Sequence, residues 1–200
     1  MQTTVDYYLA PVSPWTYLGH ARFVRLCEAA GATVRLHPID LGRVFPVSGG
    51  LPLGQRAPQR QAYRLVELAR FRDATGLPMN VQPQYFPAAG DGAARLIVAV
   101  DQADGVAAAL KLTGRMLAAV WAEQRNIADP ATLAQLLAEC GLPAARMADA
   151  RNAAVQTAYE QHTQQAIAAG VFGAPSYVIE GEMFWGQDRL DFVQQRLARG

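Results

Sequence analysis

The chain has no excess of charge of either sign, and this excludes the partners that a strong charge attracts. It has 18 Lys and Arg residues against 17 Asp and Glu residues, which gives a formal net charge of +1 at pH 7. We therefore expect no nucleic-acid or polyanion partner. Lys111 is the single lysine, so arginine, a side chain suited to binding carboxylates, carries nearly all of the positive charge.

Cysteine and histidine are also scarce. The two cysteines, Cys27 and Cys140, lie far apart and form no Cys-x-x-Cys pair, which argues against a redox dithiol, a zinc site or a disulfide scaffold. We expect both to be small buried hydrophobic residues and expect no metal. Of the three histidines, His37 and His162 are expected to be packed or solvated, and His20 is the one to test for a chemical role.

Long apolar runs are missing as well. No segment reaches the roughly 18 continuous apolar residues of a membrane span, and no charged leader precedes an apolar core at the N-terminus. We expect a soluble, cytoplasmic protein without a membrane partner. Its 200 residues, 51% of them hydrophobic, suffice for one compact domain or for a domain with a sizeable insert.

The two ends of the chain have strand signals. Residues 3–9 are β-branched and aromatic, residues 14–31 have helical spacing of apolar side chains, and residues 32–39 again favour a strand. This order predicts two parallel strands. Near the C-terminus, residues 176–185 predict an antiparallel hairpin with a tight turn at 181–182, and residues 188–197 predict a closing helix.

The middle of the chain is predicted to be helical, with loops at 45–58 and 77–92 that are rich in proline and glycine. The helical segments are 59–76, 93–120 with a break near 104–105, its continuation 121–126, then 129–141 and 146–169. The whole therefore predicts an α/β, thioredoxin-like fold with a large all-helical insert. We expect residues 1–43 and 146–200 to form the thioredoxin-like domain, and residues 44–145 to form the insert.

A candidate site lies where the first strand becomes the first helix. Ser13 is placed as N-cap and Pro14 as the first helical residue. A hydroxyl at the positive end of a helix can bind an anion, although a plain helix cap explains the same pair. Pro175 starts the third strand, and in a thioredoxin-like arrangement a cis-proline faces this helix end. Ala174 would then pair with the backbone of an extended peptide.

A third motif follows the last strand. Asp188 can serve as an N-cap and Arg189 as a solvated side chain. Beside a peptide site, however, a carboxylate suits the ammonium group of a ligand, and helix N–H groups suit its carboxylate.

Three motifs together carry a resemblance to a known family. They are Ser-Pro-Trp-Thr-Tyr-Leu at 13–18, Gly-Val-Phe-Gly-Ala-Pro at 170–175 and Phe-Trp-Gly-Gln-Asp-Arg-Leu at 184–190. With segment 121–142, they resemble the 2-hydroxychromene-2-carboxylate isomerase family, which is close to the kappa-class glutathione transferases in the DsbA-like thioredoxin group. The resemblance spans essentially the whole chain and implies a DsbA-like fold.

The resemblance also implies that glutathione is the cofactor. By that likeness Ser13 is the catalytic serine, which hydrogen-bonds the glutathione sulfur. Ala174, before Pro175, pairs with the cysteinyl backbone. The γ-glutamyl end is contacted by residues 187–189, that is Gln187 and Asp188 with Arg189 beside them. Arg60 stands where the family usually has a lysine, near the glycyl carboxylate; an arginine keeps the charge and can bind bidentately.

Two aromatic residues near Ser13 are candidates for contact with the second substrate. Trp15 and Tyr17 are the residues we expect to contact a flat aromatic substrate. Relatives usually have an aromatic-Asp-aromatic run where this chain has residues 9–11, and loop 48–51 lacks an expected asparagine. Both departures concern the substrate pocket more than the glutathione site.

The family reaction interconverts a chromene hemiketal and an open-chain trans-benzylidenepyruvate, a step in the breakdown of naphthalene-type aromatics. Two alternatives remain open for this chain: a kappa-like transferase that conjugates glutathione to another electrophile, and a non-catalytic thioredoxin-like peptide-binding module. Ser13 and Thr16 stand at the Cys-x-x-Cys positions, so disulfide exchange is not expected. The resemblance further implies a homodimer.

Overall fold

The computed structural model describes residues 2–199. Its sheet has four strands, which lie in the spatial order β2-β1-β3-β4. They are β1 (Thr4–Leu9), β2 (Thr33–Pro38), β3 (Ser176–Ile179) and β4 (Glu182–Trp185). Strands β1 and β2 are parallel, as the strand–helix–strand pattern predicts, and β3 is antiparallel to both β1 and β4. The α/β, thioredoxin-like fold class is confirmed.

The helices fill both sides of this sheet and the region between β2 and β3. They are α1 (Pro14–Ala30), α2 (Leu41–Ser48), α3 (Pro58–Thr75), α4 (Asp91–Asp104), α5 (Val106–Trp121), α6 (Pro130–Glu139), α7 (Arg146–Asp149), α8 (Ala153–Ala168) and α9 (Leu190–Leu197). The predicted break between α4 and α5 is confirmed at Gly105, which has a positive φ of 86°.

Three local predictions are wrong. The predicted loop 45–58 begins inside α2, because Asp40 caps that helix and Val44 is fully buried despite Pro46 inside it. The predicted helix 146–169 is interrupted before α8, where Asn152 has an extended backbone. Segment 121–126 does not continue α5, because the helix ends at Trp121.

Alternation along β1 divides the buried side chains between the two faces of the sheet. Tyr7 lies in the main core cluster with residues of α1, α4, α5 and α9. Tyr8 lies in a smaller cluster on the other face, with Val44 of α2 and Ala166 of α8. The sheet is therefore covered on both faces, and the main cluster joins the strands to the helices of the middle segment.

The main cluster includes residues of both expected domains, for example Leu36 and Leu112. The division into 1–43 plus 146–200 and 44–145 stays a prediction. Among residues 2–199, no helix combines the length and apolar character that a membrane span requires.

Candidate active site

Ser13 begins helix α1 as the sequence predicts. Its backbone is extended, with φ −77° and ψ 126°, and Pro14 follows in the first turn. The Ser13 hydroxyl oxygen accepts a hydrogen bond from the Thr16 amide at 3.2 Å. This capping contact occupies a lone pair of the oxygen, so the hydroxyl hydrogen remains free to donate elsewhere.

That hydrogen is donated across the fold. The Ser13 hydroxyl lies 3.2 Å from the carbonyl oxygen of Ala174, the residue before Pro175, and the Ala174–Pro175 peptide bond is cis. The sheet brings these residues together, because β3 is paired antiparallel with β1 and Ser176 lies opposite Tyr8. The end of β1 and the start of β3 therefore meet at one edge of the sheet.

The electrostatics at the start of α1 favour an anion. The first turn contains no acidic residue, so the partial positive charge of the helix N-terminus is not neutralised. Thr16 is fully buried there, and its hydroxyl oxygen has no hydrogen-bond partner within residues 2–199. This end of the helix can hold a thiolate or a carboxylate, while neither Ser13 nor Thr16 can form a mixed disulfide.

The motif after β4 lies against the same helix. Gln187, Asp188 and Arg189 form a short 3-10 turn, which is tied to the proline by a 2.9 Å hydrogen bond from the Gly186 amide to the Pro175 carbonyl. Gln187 is 6% exposed, and its side-chain amide nitrogen is buried with no partner in the described chain.

Asp188 and Arg189 differ from Gln187 in being exposed. Their side chains are 44% and 50% exposed and form an ion pair at 2.8 Å. An exposed pair of this kind contributes little to stability, so both side chains are available to a ligand at the rim.

Gly19, which was not predicted as a site residue, makes the contact between α1 and the 187–189 turn possible. A Cβ atom on Gly19 of α1 would lie 2.8 Å from the Cβ of Gln187 and 3.1 Å from the Tyr177 hydroxyl. Only glycine therefore allows the 187–189 turn to approach α1 this closely. The signal in the sequence was an isolated glycine inside a strong helical pattern.

The remaining predicted site residues have different surroundings. Trp15 is half-buried, with its ring edge-to-face to Phe71 at 5.8 Å. Tyr17 is 8% exposed and donates its hydroxyl to the Pro78 carbonyl at 2.5 Å, so it lies in the core and not on an open surface. Arg60 is exposed on the first turns of α3. Their predicted roles in binding stay predictions.

The histidines and cysteines lie apart from this chemistry. His20 is buried between the Tyr7 hydroxyl, at 3.1 Å, and the Leu110 carbonyl, at 3.0 Å; burial lowers its pKa to about 4. Cys27 and Cys140 are free and buried, as predicted, and burial raises the pKa of Cys27 to about 12. Within residues 2–199, no group of three or more His, Cys, Asp or Glu side chains is arranged to hold a metal ion.

The arrangement resembles a bound-peptide site with an anion-stabilising centre. Ser13 and the start of α1 supply donors for an anionic atom, Ala174 supplies backbone groups next to strand β3, and Gln187 supplies a buried unpaired amide. An extended chain can pair with such a backbone in the manner of an added strand. Chemically, the site can bind a small peptide and stabilise a thiolate held at Ser13.

Known proteins share this fold. The family model described as DSBA-like thioredoxin domain matches residues 4–198. The chain is 30% identical over 200 residues to a 2-hydroxychromene-2-carboxylate isomerase of Pseudomonas putida, covering 98% of this chain and 94% of that protein. It is 26% identical over 199 residues to the enzyme of that name from Sphingobium xenophagum, covering 98% and 99%. A solved structure of a 2-hydroxychromene-2-carboxylate isomerase matches with a TM-score of 0.83 and 26% identity, covering 98% of this chain and 95% of that one.

Proposed function

Because the chain belongs to the 2-hydroxychromene-2-carboxylate isomerase family and contains a DsbA-like thioredoxin domain, we propose that it is a glutathione-dependent cis-trans isomerase. Its proposed substrate pair is 2-hydroxychromene-2-carboxylate and trans-o-hydroxybenzylidenepyruvate, in naphthalene-type aromatic catabolism. The relatives carry the isomerase name. The observation that carries the proposal is the contact between the Ser13 hydroxyl and the Ala174 carbonyl at the start of α1.

The residues present fit glutathione. Gln187 has a buried amide nitrogen without a partner in the described chain, so a ligand carboxylate or carbonyl at that point would complete its hydrogen bonding. Ala174 precedes Pro175 at the mouth of the site, where it can pair with the cysteinyl backbone. Asp188 can accept from the γ-glutamyl ammonium group.

We place the carboxyl end of glutathione near the start of α3. Arg60 is exposed and forms no ion pair with an acidic residue in the described chain. A guanidinium group can bind the glycyl carboxylate through two parallel hydrogen bonds. We therefore assign Gln187 and Asp188 to the amino end of glutathione and Arg60 to its carboxyl end.

When bound, glutathione supplies a thiolate that can add to the conjugated double bond and leave again, so that the bond rotates in between. Ser13 donates its hydroxyl hydrogen to that sulfur in place of the Ala174 carbonyl. The hydrogen bond from the Thr16 amide holds the Ser13 hydroxyl oxygen in place, while the hydroxyl hydrogen turns from the Ala174 carbonyl to the sulfur. The helix end adds its partial positive charge to the same atom.

The start of α1 contributes more by placement than by acidity. A free thiol with a pKa of about 8.5 is only a few per cent ionised at neutral pH, and a fall of about two units stabilises the thiolate by about 2.7 kcal/mol. Nucleophilicity falls with pKa, with a slope of about 0.4–0.5, so the net gain in rate is about threefold. Orientation of the two reactants can supply effective molarities of about 10⁵ M or above, so holding the sulfur at Ser13 is the larger effect.

The test is an ultraviolet assay of 2-hydroxychromene-2-carboxylate isomerisation with and without added glutathione. We expect turnover only when glutathione is present, with its concentration unchanged at the end. Consumption of glutathione would indicate a conjugating transferase instead. Peptide binding without either activity would indicate a binding module.

The family resemblance also implies an oligomeric state and a cellular location, and both are part of this proposal. We propose a homodimer, which sedimentation velocity can test directly. We also propose a cytoplasmic location, where glutathione is available as a cofactor, and cell fractionation tests it.

A further inference from the structure

Arg64 of α3 lies on two aromatic rings. Its guanidinium carbon is 5.1 Å from the centre of the Phe86 ring and 5.8 Å from the centre of the Trp121 ring. The two rings contact each other with centres 4.8 Å apart, and Trp121 is fully buried. Arg64 is thus half-buried over two aromatic rings whose planes are tilted by 50° to each other, a placement that favours a cation.

No carboxylate neutralises this cation. Within residues 2–199, Arg64 forms no ion pair and no side-chain hydrogen bond, whereas arginines such as Arg115 and Arg146 each pair with two carboxylates. Its charged neighbour is another arginine: burial and the like charge of Arg56 lower the pKa of Arg64 to about 10. A half-buried charge without a counter-ion is costly, and a bound anion would remove that cost.

The position adjoins the Ser13 site. Arg64 and Phe71 are seven residues apart on α3 and therefore share a face, and Phe71 contacts Trp15 of α1. Phe86 lies four residues before Gly90, where a Cβ would be 3.3 Å from a methyl carbon of Val12, the residue before Ser13. Arg64 and Phe86 thus belong to chain segments that border the start of α1.

We propose that Arg64 binds the carboxylate of the second substrate, whose flat conjugated body lies beside the half-buried Phe86. The identity of that carboxylate as a chromene carboxylate or benzylidenepyruvate rests on the proposed function. A carboxylate at Arg64 could also come from the glycyl end of glutathione. We assign the glycyl carboxylate of glutathione to Arg60, one turn earlier on α3. Arg60 and Arg64 then bind different carboxylates, one from glutathione and one from the second substrate.

Binding is measured by isothermal titration calorimetry with three probes: 1-naphthoate, the uncharged 1-naphthamide and glutathione. Hydrogen bonds to a charged group are worth about 10- to 100-fold in affinity. We expect the wild type to prefer 1-naphthoate to 1-naphthamide by at least about tenfold. The Arg64→Met variant should lose that preference and bind glutathione within about twofold of wild type, while Arg64→Lys should recover part of it.

The exposed Arg151 provides a matched control, because Arg151→Met removes the same charge far along the chain and should change none of the three affinities. A purely structural role for Arg64 predicts that Arg64→Met loses affinity for glutathione and 1-naphthoate alike; our proposal predicts a loss of 1-naphthoate binding alone.

Several results would overturn the assignment. These are a wild-type preference below about twofold, unchanged 1-naphthoate binding in Arg64→Met, or an equal loss of glutathione binding in that variant. The first criterion needs no variant to fold. None of these measurements requires turnover, so they can fail while glutathione-dependent isomerisation is observed, and the reverse also holds.

Discussion

Replacing Ser13 by alanine tests the candidate site most directly, because this hydroxyl makes two contacts that can be valued separately. Its oxygen accepts from the Thr16 amide at 3.2 Å, and its hydrogen is donated to the Ala174 carbonyl at 3.2 Å. Loss of the cap should cost about 1 kcal/mol. In a chain of this size that lowers the melting temperature by about 2–4 °C.

The loss of activity should be larger than the loss of stability. A hydrogen bond to a thiolate is worth about 1.5–3 kcal/mol, but because nucleophilicity falls with pKa, loss of this stabilisation alone lowers the rate by only about threefold. Misplacement of the sulfur costs up to about 100-fold, so kcat/KM for isomerisation should fall about 10- to 100-fold in Ser13→Ala. The pKa of bound glutathione, followed through the ultraviolet absorbance of the thiolate, should rise by about one to two units. Ser13→Thr keeps both the cap and the donor, and should retain most of the activity.

The N-cap residue of another helix provides a control that separates an effect on stability from an effect on catalysis. Asp129 begins α6 and accepts from the amides of Ala131 and Thr132 at 3.2 and 3.1 Å, so Asp129→Ala should lose a similar amount of stability with unchanged turnover. The reasoning is refuted if Ser13→Ala keeps full glutathione-dependent activity, or if Asp129→Ala loses activity to the same extent.

Three further perturbations have definite expected outcomes. Gly19→Ala places a Cβ 2.8 Å from that of Gln187, so it should destabilise the fold by about 1–3 kcal/mol and raise the KM for glutathione in a steady-state assay; Gly54→Ala, which meets nothing within 4 Å, should do neither. Burial lowers the pKa of His20 to about 4, so below an unfolded pKa of about 6.5 the unfolded chain binds a proton that the folded chain does not. Stability present above pH 6.5 is then lost as the pH falls towards 4, by up to about 3 kcal/mol, and urea midpoints at pH 7.5 and 5 should differ less in His20→Gln than in wild type. Because burial raises the pKa of the Cys27 thiol to about 12, iodoacetamide should leave it unmodified in the folded protein and alkylate it in urea, as mass spectrometry can show; rapid labelling of the folded protein would contradict the buried placement.

The wrong loop prediction at 45–58 has a tertiary cause. Helix α2 contains Pro46 and ends at Gly49, residues that indicate a loop when only neighbours in sequence are considered. It forms because Val44 is buried with Tyr8 and Ile39 under α8, and that packing outweighs weak local preference. The interruption before α8 did have a local signal, since asparagine is a favoured N-cap and Asn152 precedes the helix.

Arg60 and Arg64 of α3 show the limit more sharply. In a helix, Arg60 and Arg64 are both cations one turn apart, and nothing local distinguishes a solvated side chain from a half-buried one. The difference arises from Phe86 and Trp121, which reach Arg64 from segments that are distant in the chain. A contact of that kind depends on how helices pack, and helical spacing does not contain that information.

Periodicity and capping alone determined the strand–helix–strand start, the closing hairpin and the place of Ser13 at a helix end, because these depend on residues within a few positions of one another. The thioredoxin-like arrangement predicted that Ala174 and cis-Pro175 face Ser13. Only the tertiary structure decided that the Ser13 hydroxyl donates to the Ala174 carbonyl, that Gly19 leaves room for Gln187, and that Arg64 lies without a partner within residues 2–199. Each of those three facts joins residues that are brought together by the sheet order and the packing of helices on it. Backbone preferences act over one or two turns, whereas a binding site is built from contacts that span the chain.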